Sequence, residues 1–376
     1  MTQTPVTFAS PLQPASYSWE ATDEEVAARY GIDVSKIVRF DLNTSPQPPD
    51  FLADLLAAGR FEARLSEYPP SDYRRLVEAA SAAYGAGADE ILVGAGADEI
   101  LDLIGKAFIS SGGTAVIPTP SYAMFRVVTE QRGARAVAVP RIADRGWAFD
   151  GDALREAAST ADVVWLCSPN NPTALAEPSG AIETLLSGIT ADAQVDGSRP
   201  AVVVVDEAYA EFTGTSLLPL RARHPNLVVV RTASKAYALA GLRVGFAIAR
   251  PETIARIAPY RPPGSVSTIS VTAVTRALEE PGAMRRNVER VAAERERLSR
   301  DLGDAGWQVL PSVTNFLLVR FDDPGRASAA ADALLRVGLV PRTFPDGHPL
   351  AAYLRLTVRS AAENDRLVAA AASLPA

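Results

Sequence analysis

Four consecutive valines, Val202 to Val205, run directly into a carboxylate, Asp206. Successive residues of a strand point to opposite faces, so a strand with one wet face alternates apolar and polar side chains. An unbroken β-branched run has no polar face to offer water. It must lie inside a sheet covered on both sides, which is the habit of parallel sheets flanked by helices. Similar short apolar runs recur at 114–117, 136–139, 163–167, 227–231 and 244–248, with helical segments between them. The fold expected is α/β, with a mostly parallel central sheet and helices on both faces.

The 376 residues suffice for two domains with a large core. Past residue 250 the pattern changes. Arg261-Pro-Pro-Gly264 breaks the chain, and a charged amphipathic helix follows at about 284–302. Short strands near 307–310, 315–321, 339–343 and 353–358 then accompany helices at 327–337 and 361–372. This reads as a smaller α+β domain at 261–376, after a larger domain at 36–260 and an N-terminal arm at 1–35 with a short helix near 23–30. Arms of this kind usually pack on a neighbour.

Charge and composition remove several functions. A net charge of −7 with no basic stripe argues against nucleic-acid binding, and the alternating signs of the 284–302 helix give no basic face. Cys167 is the sole cysteine, and the two histidines, His224 and His348, read as exposed loop residues, so neither a metal site nor a histidine triad is expected. The N-terminus lacks the features of a secretory signal, and no apolar run approaches the length of a membrane span. A cytoplasmic enzyme is the expectation.

In open α/β sheets ligands gather beyond the carboxyl ends of the strands, and the chemistry-bearing residues of this chain cluster at those ends. After the apolar run ending at Arg231 come Thr232, Ser234, Lys235 and, within the same turn region, Arg243. A lysine emerging from a buried strand end can lose part of its charge and act as a nucleophilic amine. Two hydroxyls and an arginine fork beside it suit a phosphate. An amine nucleophile beside a phosphate cradle points to pyridoxal 5'-phosphate, held as a Schiff base on Lys235. Asp206, at the end of the valine strand, needs a cation, because an unpaired buried carboxylate is costly.

Other strand ends are less specific. Gly94-Ala-Gly-Ala-Asp-Glu99 joins a strand to a helix whose first N–H groups can face an anion, or makes only a tight turn; it is not a nucleotide-binding fingerprint. Tyr122 follows another strand and is either a stacking platform or a core aromatic. Ser168-Pro-Asn-Asn-Pro-Thr173 can hydrogen-bond a ligand or close a structural turn, and Asn43 can reach a substrate or cap its own turn. Tyr68-Pro-Pro-Ser-Asp-Tyr73 is a rigid loop opening a helix, with Ser71 or Asp72 as its cap.

Taken in order, these loops resemble the fold-type I pyridoxal-phosphate aminotransferases, most closely the histidinol-phosphate aminotransferase branch, from about Pro11 to the C-terminus. Gly241-Leu-Arg243, Arg261-Pro-Pro263 and Tyr353-Leu-Arg-Leu-Thr357 extend the match. The resemblance implies that Lys235 binds the cofactor and shuttles the proton, and that Asp206 pairs with the pyridine nitrogen. It implies that Tyr209 and Asn171 bond the phenolic oxygen while Tyr122 stacks on the ring. The phosphate would take the N–H groups of Ala97 and Asp98 with Thr232, Ser234 and Arg243. Tyr68 would reach the phosphate of the neighbouring subunit, implying a homodimer with sites at its interface. Arg355 would grip the carboxylate of amino and 2-oxo acids, with Asn43 nearby; Arg342 would sit near the distal group, or be a plain surface arginine.

Four places depart from the family pattern: Ala174 where Gly is usual, Thr44-Ser45 for Glu-Asn, Gly264-Ser265 for Tyr-Asn, and Arg359-Ser360 for Gly-Thr. None touches cofactor chemistry, and several are expected at the substrate pocket. The function expected is amino-group transfer to 2-oxoglutarate from histidinol phosphate or an aromatic amino acid. The alternatives are decarboxylation of a phosphorylated amino acid on the same cofactor and, remotely, a non-enzymatic nucleotide-binding α/β protein.

Overall fold

The structure, a computed structural model, describes residues 15–18 and 20–374. The strands in chain order are β1 (Val38–Arg39), β2 (Ile91–Gly94), β3 (Thr114–Thr119), β4 (Arg135–Pro140), β5 (Val163–Cys167), β6 (Val202–Asp206), β7 (Leu227–Thr232), β8 (Gly245–Ile248), β9 (Gln308–Val309), β10 (Phe316–Arg320), β11 (Leu339–Val340) and β12 (Tyr353–Thr357).

The seven-stranded central sheet runs β2-β8-β7-β6-β5-β3-β4. Only β8 runs against the rest, pairing antiparallel with β2 and β7. Every residue of β5, β6 and β7 is buried, as the valine runs require. Alternation divides their side chains between two cores. Val203, Val205 and Val229 join one core with Leu76, Ile182 and Phe246. Val202, Val204, Val228 and Val230 join the other with Ile100, Ile104 and Trp165. The parallel register Asp206↔Val230 brings the ends of β6 and β7 together at one edge.

The C-terminal region forms an antiparallel sheet, β12-β10-β9, packed with the helices Gly282–Asp304, Pro324–Arg336 and Ala361–Ala372 around a third core. β1, expected to open the larger domain, instead pairs in parallel with β11, and Val38 and Phe40 enter this third core. The chain thus crosses between the two regions just before Asn43. Arg342 and Arg355 form an additional antiparallel bridge.

The first fourteen residues of the expected arm and Trp19 lie outside the described residues. The rest of it packs on this same chain. Its helix Asp23–Tyr30 opens with a capping box between Thr22 and Glu25, and Tyr30 donates to Asp332 Oδ1 at 2.7 Å. The helix after the Tyr68 loop, Arg74–Tyr84, has Tyr73 at its cap position in the left-handed region, while Asp72 Oδ1 accepts from Arg74 N at 3.3 Å; the Tyr73 hydroxyl accepts from Val266 N. His224, expected on the surface, is buried, because it packs against the helix Ser179–Asp196, with Nε2 3.8 Å from Glu183 Oε1. Among the described residues no helix is long and apolar enough to cross a membrane.

Candidate active site

A cavity of about 550 Å³ opens where the central sheet's carboxyl ends meet the C-terminal sheet. Thirteen of the fourteen residues singled out in the sequence line it; Tyr68 does not, and its side chain stands 91% exposed. The residues fall into four groups by the element that carries them.

The first is the anion end. The helix Gly96–Phe108 starts two residues after β2, and its first N–H groups, including those of Ala97 and Asp98, have no acceptor within the helix. Gly245 makes this approach possible: a Cβ there would lie 2.5 Å from Gly96 C and 2.6 Å from Ala97 N. The hydroxyls of Thr232 and Ser234 face the same end, 2.9 Å apart. Arg243, half exposed and in the left-handed region, donates through Nη2 to Asp98 Oδ2 at 3.0 Å. Tyr122 donates to the other oxygen of Asp98 at 2.8 Å, which fixes its ring at the cavity edge.

The second group is the floor. Asp206 is buried and accepts only the N–H of Ala208, at 2.9 Å. It has no ion pair within 4 Å among the described residues, so burial pushes its carboxyl up to about 7. Lys235 Nζ lies 3.4 Å from the carbonyl of Leu42 and 5.8 Å from the Tyr209 ring centre. Burial, seconded by the positive charge of Arg355, lowers its amine to about 8. A carboxyl raised and an amine lowered into the neutral range within one cavity mark a site for proton transfer.

The third group is the hydroxyl side. Tyr209 accepts from Asn43 Nδ2 at 3.1 Å, and burial pushes its phenol well above the usual range. Asn43 is not a simple cap. It is buried at φ +53°, its N–H donates to Thr357 Oγ1, and its carbonyl accepts from Asn315, so the β1 crossover locks it in place. The two asparagines of the proline loop separate in role. Asn170 spends its amide on Pro120 O and Thr173 Oγ1 and is structural. Asn171 Oδ1 accepts from Arg355 Nη1 at 2.6 Å.

The fourth group is the arginine pair. Arg342 and Arg355 exchange N–H···O bonds of 3.0 Å in both directions, and residues paired this way in an antiparallel bridge show their side chains on the same face. Arg355 is buried over the Phe316 ring, and its Nε has no partner. Arg342 donates to Ser18 O and lies 5.6 Å from the Tyr17 ring. Tyr17 also lines the cavity and meets Tyr122 edge-on at 6.4 Å. It was not singled out in the sequence, where no period or motif marks it.

The departures from the family pattern sit differently from the expectation. Of the four, only the one at Thr44 lines the cavity. Arg359 reaches Thr44 O from behind and pairs with Glu363. Ser265 donates to Glu99 Oε2, and Gly264 packs near the Tyr68 ring. Ala174 is buried at φ +66° in a cluster with Tyr209 and Phe316.

The cavity thus offers an anion cradle, an amine near neutrality, a buried carboxylate without a cation, a phenol and two guanidinium groups on one face. A flat ring bearing a phosphate, a phenolic oxygen and a basic nitrogen, as in pyridoxal 5'-phosphate, would satisfy each of them.

The chain is similar to known proteins over nearly its whole length. The family model for aminotransferase class I and II matches residues 42–370. A histidinol-phosphate aminotransferase from Roseiflexus castenholzii is 35% identical over 351 residues, covering 92% of this chain and 91% of the relative. One from Xylella fastidiosa is 38% identical over 318 residues, covering 82% and 84%. Among solved structures, the histidinol-phosphate aminotransferase from Sinorhizobium meliloti in complex with pyridoxal-5'-phosphate aligns with a TM-score of 0.86 at 25% identity, covering 99% of this chain and 98% of that one.

Proposed function

This chain belongs to the aminotransferase class I and II family, and we propose that it uses pyridoxal 5'-phosphate to move an amino group from histidinol phosphate to 2-oxoglutarate. The observation that carries this reading is the convergence of Lys235, Asp206 and the paired Arg342 and Arg355 on one cavity. The relatives named above, at 35% and 38% identity, support the donor.

When bound, the cofactor supplies an electron sink for the pair left on the substrate carbon as its proton departs. The protein supplies the rest. Lys235 holds the cofactor and, once displaced, takes and returns the proton; an amine lowered to about 8 spends part of its time neutral near pH 7. Asp206 gives the ring nitrogen its negative partner and keeps it protonated. Tyr209 and Asn171 hydrogen-bond the phenolic oxygen, and Tyr122 lies against the ring. The N–H groups of Ala97 and Asp98, the hydroxyls of Thr232 and Ser234, and Arg243 hold the phosphate. Asp98 shares Arg243 with it, so the anion takes over donors that the carboxylate now occupies in part.

Arg355 takes the carboxylate of glutamate and 2-oxoglutarate through its forked donors, which Asn171 Oδ1 and the Asp41 carbonyl hold at the cavity wall. Arg342, beside it, takes the distal anion, either the second carboxylate or the donor's phosphate, with Asn43 bordering that space. The enzyme acts as a cytoplasmic homodimer in which Tyr68 completes the partner's site. A tyrosine exposed to 91% on a proline-stiffened loop leaves its ring and hydroxyl free to meet a second copy of the chain.

A spectral half-reaction tests the reading. Histidinol phosphate is expected to bleach the visible band of the bound cofactor, and 2-oxoglutarate to restore it. Bleaching by phenylalanine alone would replace the donor. Carbon dioxide release from O-phosphothreonine with the band intact would replace the reaction.

A further inference from the structure

The two motifs that carry the site contain three charged residues with no part in the reaction so far: Glu207 and Glu211 follow Asp206, and Arg231 precedes Lys235. All three side chains are at most 8% exposed. Arg231 Nη1 donates to Glu207 Oε2 at 2.8 Å, and Nη2 donates to Glu211 Oε1 at 2.8 Å. Glu207 also accepts from Ser216 Oγ at 2.6 Å and Leu217 N at 2.5 Å. The guanidinium stacks 5.0 Å from the Tyr84 ring.

Strand alternation puts this cluster directly behind the cofactor floor. Asp206 and Thr232 face the cavity, so Glu207 and Arg231, one residue away on each strand, face the opposite side. The sheet ladder stops helping there. The Glu207 N–H to Val230 carbonyl bond, at 2.9 Å, is the last between these strands, and beyond it the chains diverge into the Tyr209 turn and the Lys235 turn. What continues to tie them is Arg231. One prong holds the residue after Asp206, and the other holds Glu211 in the turn Ala210–Phe212 that follows Tyr209. A buried ion cluster is a poor way to gain stability, since apolar groups of the same volume often do as well. Its advantage is angular: a planar fork fixes two carboxylates relative to one another.

We propose that Arg231, with Glu207 and Glu211, is a positioning clamp that holds the ends of β6 and β7 in register, so that Asp206, Tyr209 and Lys235 meet the cofactor at fixed separations. The proposal rests on the cofactor reading above and concerns residues that touch neither cofactor nor substrate. Burial raises the carboxyl of Glu211, and its second oxygen has no partner among the described residues.

The test compares wild type with Arg231→Lys, which keeps the charge and loses the fork, and Glu211→Gln, which keeps an acceptor oxygen facing Nη2. Four quantities are read: the dissociation constant for pyridoxal phosphate, the pH midpoint of the visible band, kcat and KM for glutamate, and unfolding of the cofactor-free protein. Arg231→Lys is expected to lower kcat about tenfold or more, as misplacement of reacting groups does, with KM nearly unchanged and the band's midpoint displaced. Glu211→Gln is expected to retain both kcat and midpoint. A folded Arg231→Lys with wild-type kcat and midpoint would overturn the clamp, as would losses that only follow thermal stability. Should that variant not fold, Glu207→Leu carries the same test, since it removes the acceptor shared by Arg231 and Ser216 and leaves Arg231 paired with Glu211. A wild type with no visible band overturns the cofactor reading and the clamp with it; a normal wild-type band beside unchanged variants overturns the clamp alone.

Discussion

The ends of β6 and β7 present two faces that solve the burial of charge in opposite ways. On the rear face Arg231 is enclosed by Glu207 and Glu211, and each charge finds its counter-charge within the chain. On the cavity face, among the described residues, Asp206 has one N–H and no cation, and Lys235 has one distant carbonyl and no carboxylate. The same strands, one residue out of phase, are thus closed behind and open in front. The rear face pairs its guanidinium with carboxylates of the chain itself. The front is poised for a ligand that brings the missing charges, and its polar groups titrate near neutrality until one arrives.

The sharpest way to break this contrast is to remove the open amine. Lys235→Ala is expected to lower kcat roughly a thousandfold or more, since it deletes both attachment and proton transfer. Pyridoxal phosphate should still bind, held by the anion cradle, but borohydride should no longer fix it to the protein. Mass spectrometry after reduction checks this directly. Covalent fixation in the variant would mean that the amine lies elsewhere.

Next in size is the open carboxylate, and here the pH dependence has a definite sign. The folded, cofactor-free protein holds Asp206 at about 7, against an ordinary value of 3.8. Between those values the folded state binds more protons than the unfolded one. Stability contributed by this group is therefore present below pH 4 and lost as pH rises through 7, on the order of a few kcal/mol over the window. Asp206→Asn should flatten that decline, measured as the difference in unfolding free energy between cofactor-free wild type and variant at pH 5 and pH 8. The same substitution should lower kcat about a hundredfold or more by depriving the ring nitrogen of its partner. A variant whose pH slope matches wild type would mean that Asp206 is charged and paired before any ligand binds.

Which parts of this contrast were readable in advance follows from the range of the signals. The valine runs forced a doubly covered sheet, and the expectation of a cavity beyond the strand ends followed from that alone. Asp206, Thr232 and Lys235 were legible because the strand boundaries locate them. The closed rear face was not, because only the phase of alternation says that Glu207 and Arg231 share a side, and only the register Asp206↔Val230 says that they are neighbours. The β1–β11 pairing escaped because two-residue strands carry no period, and it decides where Asn43 lies. Asn170 and Asn171 are adjacent and alike in sequence; their separate roles depend on Pro120 and Arg355, both remote along the chain. Tyr17 and the buried His224 depend in the same way on tertiary contacts that leave no local mark.

The smallest expected effect sharpens the comparison from the side of packing. Ala174 occupies a backbone conformation, φ +66°, that glycine adopts without cost, and a glycine there is the family's usual choice. Changing Ala174→Gly should release about 1 kcal/mol of backbone strain. It should also forfeit about 0.8 kcal/mol for a buried methyl and about 0.4–1 kcal/mol through the freer unfolded chain. These terms nearly cancel, so unfolding free energy should move by less than about 1 kcal/mol. The methyl is not idle, however. It packs with Tyr209 and Phe316, and the Phe316 ring lies 5.4 Å beneath the Arg355 guanidinium. Loosening that support should raise KM for glutamate about two- to threefold with kcat held, because a positioning loss of roughly half a kcal/mol is felt in substrate binding before chemistry. A variant that is markedly stabilised with unchanged KM would show that the methyl is only tolerated strain. A KM increase at constant stability would show that the open face depends on apolar packing where the closed face depends on ion pairs.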